Sequence, residues 1–248
     1  MYKWTASYFN ELTLLFYRRK VILIALFSAA LPVLIAFALK GLEPLLALLA
    51  VGPSFPIEML SLYTGLWIPL VIMTLTADLF PHEVASRTLK LAFLRPVTRL
   101  QVFLSRAAAL ATSVGGILVI LFITTFLCTL FAGTLTGFGE VLSNLKAYAA
   151  AFIAMLAVSA VFVFIAQFFK SVSGFVITAL VLYAGFKVAP FLLSSFSAFS
   201  PLNYTDWHML WLSSYVRAGT LITGTLFLLA SSVLFFSLGY YKFDRTQV

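Results

Sequence analysis

Six stretches of about twenty residues carry almost no charge, and nothing else in the chain limits the fold so strongly. A helix of about 20 apolar residues matches the hydrocarbon thickness of a bilayer. Only helices and closed barrels satisfy every backbone polar group there. The runs are 21–39, 59–77, 107–130, 147–169, 174–193 and 218–240. They predict an all-α polytopic membrane protein with six transmembrane helices, residues 1–248 forming one transmembrane domain. Charge content agrees. Asp, Glu, Lys and Arg make up 10% of the residues, against roughly 25% in soluble domains, too few to cover a water-facing surface.

One segment cannot sit in lipid. Residues 79–106 hold Arg87, Lys90, Arg95, Arg99 and Arg106. Wedged between two apolar runs, they belong at the cytoplasmic surface, where Lys and Arg near span ends are retained. On a helix from Phe80 to about Leu94, the residues Phe80, Val84, Leu91 and Leu94 fall near one side. Glu83, Arg87 and Lys90 fall on another. Arg95-Pro96 ends that helix, because a residue before proline is pushed out of the α region. The alternative is a solvated basic loop that only sets topology.

Residues 1–20 repeat Trp4, Tyr8, Leu12, Leu15 and Phe16 at spacings of three and four. This predicts an amphipathic helix in the membrane interface rather than a flexible basic tail. No cleavable signal peptide is expected, since the first apolar run is a full span without an obvious small-residue cleavage site. An outer loop, 40–58, contains Pro44, Pro53 and Pro56. Span two carries Asp78 at its inner end, an interfacial residue with bases close by. Ala107, Ala111 and Gly115 make a small-residue ridge on span three, and 131–146 reads as an outer loop. Spans four and five form a hairpin with a tight turn at 170–173. The aromatic segment 194–217 then reads as short helices resting in or re-entering the outer leaflet, with Trp207, Trp211 and Tyr215 on one face.

Twelve basic residues fall on the side of the termini and three on the other, with Lys187 inside a span. That asymmetry predicts cytoplasmic termini. The net charge of +8 does not indicate nucleic acid, because the bases sit at span ends. No phosphate-binding loop GxxxxGK[ST] occurs. No His, Cys and carboxylate cluster has metal-ligand spacing, and Cys128 is the only cysteine. His82 and His208 are placed on opposite sides of the membrane, so they cannot cooperate. Lys187 lies about 9 Å along the helix from the outer end of span five. It either snorkels to the headgroups or faces a protein-lined path and meets an anionic substrate group.

Glu83, Thr88, Leu89, Arg95-Pro96-Val97 and Arg99 together resemble the cytoplasmic motif of ABC-2 type transporter permeases. That pattern has a Glu after span two, then Gly-Thr-Leu, then an (S/R)-Pro-(V/I)-(S/T)-Arg turn before span three. Pro96-Val97-Thr98-Arg99 fits it, and Arg87 stands in the glycine position. The resemblance extends to the N-terminal helix with Glu11, the six-span layout and the Phe243-Asp244-Arg245 ending. It implies a half-transporter in a cell membrane, paired with a second permease, identical or homologous, and two ATP-binding-cassette subunits that bind ATP and Mg. The chain itself would hold no cofactor and catalyse nothing. The resemblance implies that Glu83, Arg87, Thr88, Lys90, Arg95, Pro96 and Arg99 couple the permease to the ATPase. Export of a peptide, drug, lipid-linked molecule or ion is the expected direction, because no large outer domain is present to capture substrate. The alternatives are a secondary transporter needing no ATPase, or a structural membrane subunit.

Overall fold

The computed structural model describes residues 2–42, 51–81, 98–134, 137–192, 200–213 and 215–245. An N-terminal helix, Tyr2–Phe16, breaks at Tyr17-Arg18 and leads into span one, Arg19–Leu42. Span two is Phe55–Leu79, span three Arg99–Phe131, span four Phe138–Ala166, span five Val172–Leu192 and span six Ala218–Asp244. Between spans five and six lie a 3-10 turn, Pro201–Asp206, and a short helix, Trp207–Leu212. Among the described residues, six helices are thus long and apolar enough to cross a bilayer.

Spans two, three and four start earlier than their apolar runs. Each early start has a local cause. Pro56 lies in the first turn of span two, where its missing N–H costs nothing. Thr98 and Gln101 form a reciprocal capping box that starts span three at Arg99, eight residues before position 107. Glu140 in the first turn of span four meets the positive end of the helix dipole. The loops expected at 40–58 and 131–146 are shortened accordingly, and Arg99 and Arg106 belong to the span-three helix. At the other end of span three the chain turns through Gly133, whose φ of 69° is easy only for glycine.

Spans two and four are mostly buried, whereas spans one, five and six expose apolar faces, as lipid contact requires. In a bilayer, helices associate through close packing, since lipid is as apolar as leucine. Span four permits this with buried Ala147, Ala150, Ala151, Ala154, Ala157 and Ala160. On span six, Gly239 faces the Phe164 backbone, where an added Cβ would stand 3.5 Å from its Cα. The ridge on span three is partly used in the same way, Gly115 meeting the Phe152 ring of span four.

Two prolines explain how the spans are tied together. Pro32 has no N–H to give the Ser28 carbonyl, and Pro69 none to give the Gly65 carbonyl. In each case a tyrosine of another span supplies the donor. The Tyr63 hydroxyl donates to the Ser28 carbonyl at 2.7 Å, and the Tyr183 hydroxyl to the Gly65 carbonyl at 2.5 Å. A π-helical turn, Tyr63–Trp67, brings Trp67 onto the same residue, its indole N–H donating to Ser28 Oγ at 2.7 Å. Tyr63→Phe strands a buried carbonyl, which costs about 1–3 kcal/mol. The variant is expected to unfold at lower temperature in detergent than wild type, whereas Tyr17→Phe, at an exposed site, melts unchanged. Equal melting of Tyr63→Phe and wild type would remove this account of the span one–span two joint.

Candidate functional site

Among the described residues, polar side chains gather at each end of the bundle. At the end bearing the termini, three ties fasten the N-terminal segment to spans two and three. The Tyr8 hydroxyl bonds Thr112 Oγ1 at 2.8 Å. Glu11 faces Arg106 at 3.8 Å, and the Arg106 side chain is 1% exposed. Arg18 and Lys20 both reach Asp78, at 3.4 and 3.5 Å. Asp78 is buried, and pairing with these two cations offsets the cost of taking a carboxylate out of water. The interfacial role expected of Asp78 therefore takes the form of a joint between the elbow at Arg18 and the end of span two.

Beneath these ties sits an aromatic cluster. Phe80 packs on Phe103 and Phe243, and Phe103 also meets Tyr240, with ring centroids between 5.6 and 6.4 Å apart. The Arg106 guanidinium lies 6.0 Å from the Phe80 ring centroid. Arg99 donates to the Asp244 carbonyl, joining the start of span three to the end of span six. Of the seven residues expected to couple to an ATPase, Arg99 is placed here. Glu83, Arg87, Thr88, Lys90, Arg95 and Pro96 lie outside the described residues. The helix expected from Phe80 to Leu94 lies there too, apart from Phe80 and Pro81.

At the opposite end, residues 200–212 pack between spans two, four, five and six. Pro201, Leu202, Thr205, Trp207 and His208 are buried. Lys187 donates to Thr205 Oγ1, so its ammonium is committed to this segment. Ser61 of span two bonds His208 Nε2 at 3.0 Å while donating to the Ile57 carbonyl at 3.1 Å. Trp207 sits where Gly224 of span six leaves no side chain, and an added Cβ would overlap its ring. The pair Ser61–His208 is not a hydrolytic dyad: both side chains hold the segment in place, and His208 is fully buried.

The aromatic face expected along 207–215 is corrected here. The helix ends at Leu212 and Ser213 is extended. Trp207 therefore turns inward, and Tyr215 stands apart and 98% exposed. The reciprocal Glu11–Arg106 contact and the Ser61–His208 bond were both missed by sequence reasoning. The available signals were weak: Glu11 is the one acid of the N-terminal helix, and Arg106 is the last base before the apolar part of span three.

Residues 16–186, about two thirds of the chain, match the family described as ABC-2 family transporter protein. The chain belongs to that family. It is a multi-pass membrane permease with a role in membrane transport, and its family works with an ATP-binding-cassette ATPase in a lipid bilayer. A search of curated proteins returned no match.

Proposed function

We propose that this permease is the transmembrane subunit of an ATP-driven exporter in a cell membrane, with both termini cytoplasmic. It pairs with a second permease, identical or homologous, and with two ATPase subunits that bind ATP and Mg. This chain holds no nucleotide site, and hydrolysis occurs in the partner. Substrate, of the peptide, drug, lipid-linked or ionic class, enters from the cytoplasm or inner leaflet. Lys187 and the 200–212 segment stand at the outer end of its path.

The observation that supports this reading is the tied block at the terminal end. The segment holding Glu83, Arg87, Thr88, Lys90, Arg95 and Pro96 leaves span two just after Phe80 and enters span three at Thr98. Phe80 is locked in the aromatic cluster, and Arg99 is bonded to span six. Asp78 and Arg106, just beyond these points, are joined to the N-terminal segment. Displacement of the points where that segment joins spans two and three therefore carries the N-terminal helix and spans two, three and six together.

Affinity purification in mild detergent tests the reading. The permease is expected to retain an ATP-binding-cassette ATPase in equal number. Transport in reconstituted vesicles should stop when ATP hydrolysis is blocked. A permease that elutes alone and transports at full rate without hydrolysis is a secondary transporter instead.

A further inference from the structure

We infer that His208 is a pH-sensitive latch: its protonation frees residues 200–212 from spans two and six and opens that end of the permease. The geometry carries this. Three contacts of different kinds help to hold the segment, namely His208 on Ser61, Lys187 on Thr205, and the Trp207 ring in the Gly224 notch, beside the Tyr204 ring on Phe227 of span six. His208 is the one of these that changes charge in the physiological range. Its ring is 0% exposed, Nε2 is bonded to Ser61 and Nδ1 is buried, so the second proton must enter a closed site. That places a cation in a sealed joint.

The surrounding charges set the response. Within the segment, Asp206 is exposed and favours the protonated ring, as does the Thr205 backbone carbonyl. From span five, Lys187 is bonded to Thr205, and the Tyr183 hydroxyl donates to the Gly65 carbonyl. On span two, Glu58 is turned to Ser54. Span four brings Tyr148, whose hydroxyl goes to Pro56, while its Glu140 and Lys146 are exposed near the helix start. Span six is capped on this side by the exposed Arg217 and carries Lys242 and Asp244 at its far end. Burial dominates and holds the imidazole below its usual value of about 6.5. The docked ring is thus neutral in the window where an undocked ring binds a proton. Docking is complete above about pH 6.5 and weakens as pH falls through that window, by at most about tenfold per pH unit for one proton.

Hydrogen exchange of the intact permease, corrected for the intrinsic pH dependence of exchange, tests this at about pH 8 and about pH 5. Protection of 200–213 is expected to fall on acidification while 150–160 of span four keeps its protection. His208→Gln retains an amide for Ser61 but cannot titrate, so its protection should be equal at both pH values. Asp206→Asn, at an exposed site, removes the compensating carboxylate and should enlarge the acid-induced loss. Unchanged wild-type protection at low pH overturns the latch. So does a wild-type response in His208→Gln, or an Asp206→Asn response no larger than that of wild type.

Discussion

Glu11→Ala is expected to destabilise the detergent-solubilised permease by about 3 kcal/mol, the lower end of the range for breaking a buried ion pair. Arg106 is 1% exposed, whereas Glu11 is 13% exposed and 3.8 Å away, so the site is less dry than a full core. Once the carboxylate is gone, the N-terminal helix faces a buried cation, and the pressure is to release the helix. The double variant Glu11→Ala with Arg106→Leu removes both charges and should recover most of the loss, because buried pairs are often replaceable by apolar residues. Thermal unfolding of wild type, the single and the double variant reads this directly. A single variant as stable as wild type would mean that the pair holds nothing. A double variant no better than the single would assign the loss to packing instead.

The pair also shows where sequence reading runs out. Six spans were legible because lipid imposes a length and a composition on each of them, and six such helices stand among the described residues. The starts of spans two, three and four were not. Lipid does not dictate where a helix begins; Pro56, the Thr98–Gln101 box and Glu140 do, and these act outside the apolar run. Pro32 and Pro69 lie within the first two apolar runs, and each frees a carbonyl four residues back. The tyrosines that satisfy those carbonyls come from other spans and could not be placed. His208 was set aside because His82 was expected on the opposite side, yet its partner is Ser61, a residue with no distinguishing neighbourhood in the chain. Trp207 misled in a different way. Its spacing to Trp211 and Tyr215 suggested one exposed aromatic face, but Gly224 offers it a notch on span six, and a notch is a property of the packed pair.

The central claim is that the segment after span two meets an ATPase. A solvated basic loop and a docked helix differ most sharply in Glu83→Lys. Reversal at Glu83 adds positive charge on the side already rich in Lys and Arg, so insertion and topology are expected to survive it. An exposed polar substitution also costs the fold little. At a docked surface, removing one member of a desolvated, hydrogen-bonded charge pair costs on the order of 2–5 kcal/mol. That corresponds to a loss of roughly thirtyfold or more in affinity.

The decisive measurement is therefore the amount of ATPase retained on tagged permease, wild type against Glu83→Lys, from membranes containing equal quantities of each. The account predicts that Glu83→Lys inserts and melts like wild type but loses the ATPase and its transport-coupled hydrolysis. A variant that keeps both the ATPase and full transport would contradict it.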